Sequence, residues 1–122
     1  MRGIVAALRW VARLDGIAAL VLGIILWTGS RGPLKVHILI GFIMSITMLL
    51  IGLVGFFARV KLALPIVAIA WAPLLPYVGF VQLKLFSGAS HVIIQVIHLL
   101  IGVCAIGIAE SLAAKIKRQA RP

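Results

Sequence analysis

Three long stretches without a single charged side chain set the terms for this chain. Residues 36–58 make a run of 23, residues 62–83 one of 22 and residues 85–109 one of 25. About 20 apolar residues in helical form cross ~30 Å of hydrocarbon, so each run suffices for one passage. Of the 122 residues, 64% are hydrophobic and 11% charged. A water-soluble domain of this size cannot hide that much apolar surface, so the expected surroundings are the lipid bilayer.

A fourth passage comes first in the chain and is less clean. Arg9, Arg13 and Asp15 interrupt it, leaving residues 16–29 uncharged. A helix over residues 4–28 still crosses, with its charged first turns near the headgroups and its arginine stems snorkelling outward. A cleaved signal peptide fits worse: Asp15 precedes the apolar part, no small-x-small site follows, and "WTGSRGP" leads straight into the next run. The expected spans are residues 4–28, 34–58, 62–84 and 89–114, one transmembrane domain over residues 1–122.

The connections "TGSRGPLK", "RVK" and "KLFSGAS" are short. Short connections make sequential helices antiparallel neighbours, so the expected fold is all-α, an up-down-up-down four-helix bundle. Nine cations then share the side of both termini: Arg2, Arg9, Arg13, Arg59, Lys61, Lys115, Lys117, Arg118 and Arg121. Arg31, Lys35 and Lys84 occupy the other side. This bias puts both termini in the cytoplasm, and the expected location is the cytoplasmic membrane of a bacterium or archaeon. The net charge of +10 is thereby membrane-flanking charge and does not indicate nucleic-acid binding. In the same way the tail "KIKRQARP" reads as a stop for the fourth helix, ahead of a lipid-binding segment.

All three histidines fall on the second and fourth helices. "HILIG" at residues 37–41 and "HLLIG" at residues 98–102 each set a histidine four residues ahead of a glycine. At 100° per residue, His91, Gln95, His98, Gly102, Ala105 and Ala109 fall on one strip of the fourth helix. His37, Gly41, Met44, Met48 and Gly55 share a strip of the second. Imidazole and amide groups are costly against lipid, so both strips should face the interior. Small residues there also serve close helix packing, and histidine or glutamine serves as interhelical glue.

The sharper expectation is haem b. It needs imidazole nitrogen on the iron, apolar walls, room for a flat macrocycle and cations near its propionates. His37 with His98 or His91 supplies the axial pair, Gly41 and Gly102 the room, and Arg31, Lys35 and Lys84 the cations. Counted from the cytoplasmic ends at ~1.5 Å per residue, His37 and His91 differ by about 3 Å in depth, His37 and His98 by about 7 Å. Depth favours His91 and the glycine favours His98, so both stay open. Met44 is core filler or a soft second ligand.

Histidines on the second and fourth helices of a four-helix membrane core, with glycine close by, resemble the b-type membrane cytochromes. Members with two stacked haems carry two separated histidines on each ligand helix, whereas here the second helix has only His37. The resemblance therefore implies one bis-histidine haem and electron transfer or redox sensing, with quinone or a redox protein as partner. The chain is then an electron carrier rather than a catalyst with its own substrate. The competing class is a cofactor-free accessory subunit or small transporter; a homo-oligomer is compatible with either.

Other residues carry weaker expectations. A copper or zinc site on three histidines is a further alternative, although residues seven apart on a helix lie ~10.5 Å apart. Pro73 and Pro76 free the carbonyls of Ile69 and Ala72 and should bend the third helix. Trp27, Trp71 and Tyr77 are candidates to line a cavity, Trp27 doubling as an interface anchor. Asp15 and Glu110 are expected to pair with Arg13, Arg59 or Lys61. Cys104, the lone cysteine, should be a small buried hydrophobe. No serine–histidine–acid set, phosphate loop or carboxylate pair is present.

Overall fold

A computed structural model describes residues 2–84 and 88–120. Within them the chain is helical, with α1 at Arg2–Trp27, α2 at Leu34–Phe57, α3 at Ala63–Lys84 and α4 at Ala89–Gln119. Each helix is long and apolar enough to cross a membrane. The expected connection at residues 85–87 and the cation Arg121 lie outside the described residues. Two helix ends differ from expectation by more than one residue. α1 starts two residues early, and α4 runs five residues past 114. Lys117 and Arg118 favour the carbonyl end of the α4 dipole, and Ile116 is fully buried, so the basic segment up to Gln119 continues the helix.

Contacts join α1 to α2, α2 to α3, α3 to α4 and α4 back to α1, and α2 also touches α4 across the centre. The α1–α4 seam is polar as well as close. Glu110 accepts hydrogen bonds from Arg9 Nε at 2.8 Å and Arg13 Nη2 at 3.1 Å, and Arg13 Nε also donates to it. Further along, a Cβ on Gly16 would meet Ile106 at 2.6 Å. The α2–α3 seam is as tight: at Gly52 a Cβ would lie 3.2 Å from the Pro65 carbonyl oxygen and from the Ile69 nitrogen.

Both internal prolines sit inside a continuous α3. Proline at 76 leaves the Ala72 carbonyl without its helical donor, and Ser45 Oγ of α2 donates to that oxygen at 2.5 Å. The neighbour thus satisfies a group the helix cannot. A second polar stitch runs from Trp71 Nε1 to the Ile101 carbonyl at 3.0 Å, joining α3 to α4.

The turn after α2 closes in few residues because Arg59 takes a left-handed conformation, φ 56°. Val60 N–H then donates to Gly55 O and Arg59 N–H to Phe56 O, both at 3.1 Å, while the Val60 side chain is buried. This is a Schellman-type ending with its apolar contact.

Packing is uneven along the bundle. Met48, Ile51, Leu112, Ile116 and Pro65 are the largest fully buried side chains, and all belong to the half nearest that turn. In the other half α1 has no buried residue after Gly16, α2 none before Met44, and residues 90–104 of α4 none. Outward faces are apolar throughout, with Ile24, Leu39, Phe57, Ile93 and Leu100 among the exposed side chains. Hydrocarbon suits such a surface and water does not.

Candidate functional site

The histidines lie in the loosely packed half. His37, one turn into α2, and His98, mid-way along α4, bring their rings together across the centre, centroids 6.1 Å apart and planes at 68°. Both are half-buried, and the Nδ1 atom of each is buried without a hydrogen-bond partner, as is that of His91. Unsatisfied buried nitrogen is costly and uncommon, so three such atoms on one set of residues need a reason. His91 starts α4, its N–H bound to the Gly88 carbonyl at 3.1 Å, and its ring does not stack on His37.

Each ring of the facing pair rests on a glycine of another helix. A Cβ on Gly23 of α1 would lie 3.5 Å from His37 Cε1, and one on Gly79 of α3 would lie 3.3 Å from His98 Cε1. Sequence reasoning missed both seats, since a contact between helices depends on rotation and register that no single helix records. The only available signal was a lone glycine in the apolar run of each helix.

Gly41 and Gly102, expected to leave room for a macrocycle one turn from each histidine, stand beside open space. A Cβ on either meets no atom within 4 Å. Gly41 shares its strip with buried Met44, Met48 and Gly55, and Gly102 with buried Ala105 and Ala109. These two glycines are therefore not used for close packing, unlike Gly16 and Gly52. Two imidazoles on one metal put their centroids about 6 Å apart, from two metal–nitrogen bonds of ~2 Å and two ring radii of ~1 Å. The His37–His98 spacing, the imidazole donors and the open glycines are compatible with a flat metal-bearing ring held between α2 and α4, while the Cε1 edges of the two imidazoles face α1 and α3.

The remaining residues divide. Arg31, Lys35 and Lys84 are exposed, Lys35 in the first turn of α2 and Lys84 closing α3. Met44 is buried in the apolar core, as its filler reading requires. Trp27 and Tyr77 point outward, Tyr77 at 67% exposure, so neither lines a cavity; Trp71 alone of the three packs against the core. Among the described residues, no three histidine, cysteine or acidic side chains converge on a metal position, which leaves the three-histidine copper or zinc alternative without a cluster.

Two further expectations are corrected. Asp15 is buried at 8% exposure, and its Oδ2 has no partner; it forms no ion pair with Arg13, Arg59 or Lys61 among the described residues. Arg13 lies about 200° around α1 from Asp15 and reaches Glu110 instead, alongside Arg9. Cys104 is exposed on α4, because the inward strip is held by its neighbours Gly102 and Ala105. No protein-family model, characterised protein or solved structure matches the chain.

Proposed function

We propose that this chain is an integral-membrane haem b protein that carries electrons or senses a redox partner such as quinone. The observation that carries the reading is the His37–His98 pair, two imidazoles 6.1 Å apart on α2 and α4 with buried, unpartnered nitrogen. In this reading the helices run up-down-up-down with both termini in the cytoplasm of a bacterial or archaeal cell. The excess of cations on the terminal side supports that orientation. The contacts of Arg9 and Arg13, early in α1, with Glu110, late in α4, support the antiparallel pairing of those helices, which brings both termini to one side.

Bound haem supplies one-electron chemistry. The chain's own residues would hold and shield it: His37 and His98 would ligate the iron, and Gly41 and Gly102 would leave the macrocycle room. The apolar helices exclude water, and the exposed Arg31, Lys35 and Lys84 are the cations on hand for the propionates. His91 remains available at the outer end of α4.

The seating of both rings on Gly23 and Gly79 favours a second reading, a cofactor-free accessory subunit or small transporter whose histidines are packing groups. One purification separates the two. After expression with ample haem and extraction in mild detergent, the haem reading requires a Soret band and dithionite-sharpened visible bands. His37→Ala and His98→Ala should each abolish or shift those bands, whereas His91→Ala should leave them. A colourless wild-type protein, folded by circular dichroism, overturns the haem reading in favour of the second.

A further inference from the structure

At the opposite end of the bundle from the histidines, the first turns of α1 and the last turns of α4 enclose a groove of about 390 Å³. Arg2, Arg9, Arg13 and Lys117 line it together with Trp10 and the apolar Val5 and Ile116. We propose that this groove binds the phosphate-bearing headgroup of an anionic phospholipid. The inference rests on membrane residence and is independent of haem.

Charge is the first argument. Among the described residues Glu110 is the one carboxylate engaged with these cations, so within them the four cations outnumber it by three. Arg9 and Arg13 spend part of their donor set on Glu110, and Arg2 spends one donor on the Ala120 carbonyl that ends α4. A guanidinium has five N–H donors, so each keeps others for a phosphate oxygen. The existing bonds hold the three arginines in place before a ligand arrives, which lowers the ordering cost of binding.

The walls argue for a lipid rather than a free anion. The groove opens beside Trp10, which is exposed, and Arg13 Cζ stands 5.2 Å from its ring centroid. From there the outer face of α1 continues as Val11, Leu14, Ile17 and Val21, all exposed and apolar. Cations at one end, an interfacial tryptophan beside them and a greasy track beyond are the sequence of environments along a phospholipid, from phosphate to acyl chain. Basic recesses between membrane helices are known to take such headgroups.

The test uses full-length protein in detergent, titrated with phosphatidylglycerol or phosphatidylcholine and read by native mass spectrometry and thermal unfolding. Phosphatidylglycerol should be retained and raise the melting temperature, and phosphatidylcholine should do neither. Each cation removed should weaken retention by about fivefold, so Arg2→Gln with Lys117→Gln should weaken it by roughly twenty-fivefold. Lys115→Gln, outside the groove, should change nothing. Equal retention of both lipids, or equal loss on Lys115→Gln, overturns the proposal. Stabilisation by millimolar inorganic phosphate matching that by the lipid also overturns it, in favour of a free-anion site. Recovery of the protein from the soluble fraction without detergent would instead show that membrane residence itself had failed.

Discussion

Glycines do opposite work at different points of this chain, and substitution should expose the difference. Gly52→Ala would press a methyl onto backbone atoms of α3 and should cost about 1–3 kcal/mol in detergent unfolding, whereas Gly41→Ala and Gly102→Ala should stay within ~0.5 kcal/mol of wild type. In the haem reading, Gly41→Phe or Gly102→Phe should keep the helical signal and lose the Soret band. The two acids contrast in the same way. Glu110→Ala removes the shared partner of Arg9 and Arg13 and should lower the unfolding midpoint, modestly because all three groups are partly exposed and water solvates the freed guanidiniums. Asp15→Ala removes a buried carboxylate with an unpartnered oxygen and should leave the unfolding midpoint unchanged or higher. The one-turn spacing of His37 to Gly41 and of His98 to Gly102 was legible in the sequence, because it depends on one helix alone. The seats on Gly23 and Gly79 were not, nor was Arg9 as a partner of Glu110, although Arg9 and Arg13 share a face at i, i+4.

Among the elements, α3 shows how a helix keeps two internal prolines. The Ser45–Ala72 bond replaces the N–H that Pro76 lacks, so Ser45→Ala should cost ~1 kcal/mol. Pro76→Ala restores an amide donor to that carbonyl, and Ser45→Ala in that background should cost less than half as much. A double-mutant cycle in thermal unfolding measures the coupling; additive effects would show that the serine does not substitute for the helical donor. Three charge-free runs and one interrupted by charges located the four helices within a few residues at most of their ends, since lipid leaves no partner for unpaired backbone. The end of α4 escaped the same logic. There the buried Ile116 and the basic last turn extend the helix beyond the apolar run, and tertiary packing rather than hydropathy decides where it stops.

For the whole molecule, the proposed orientation makes a direct demand. An alkaline phosphatase fused at the C-terminus should be inactive and one fused in the α1–α2 connection active, since that enzyme matures only outside the cytoplasm; the reverse pattern would invert the bundle. Uneven packing carries a consequence of another kind. One end is pinned by Met48, Ile51, Leu112 and Ile116 and by the Arg9–Glu110–Arg13 cluster, while the histidine end has few buried side chains to hold it shut. Four rods clamped at one end part most easily at the other, like the jaws of a peg. In the haem reading, the way in to His37 and His98 would therefore be sideways, through a seam between helices, which a flat hydrophobic guest dissolved in the bilayer would take without passing through water.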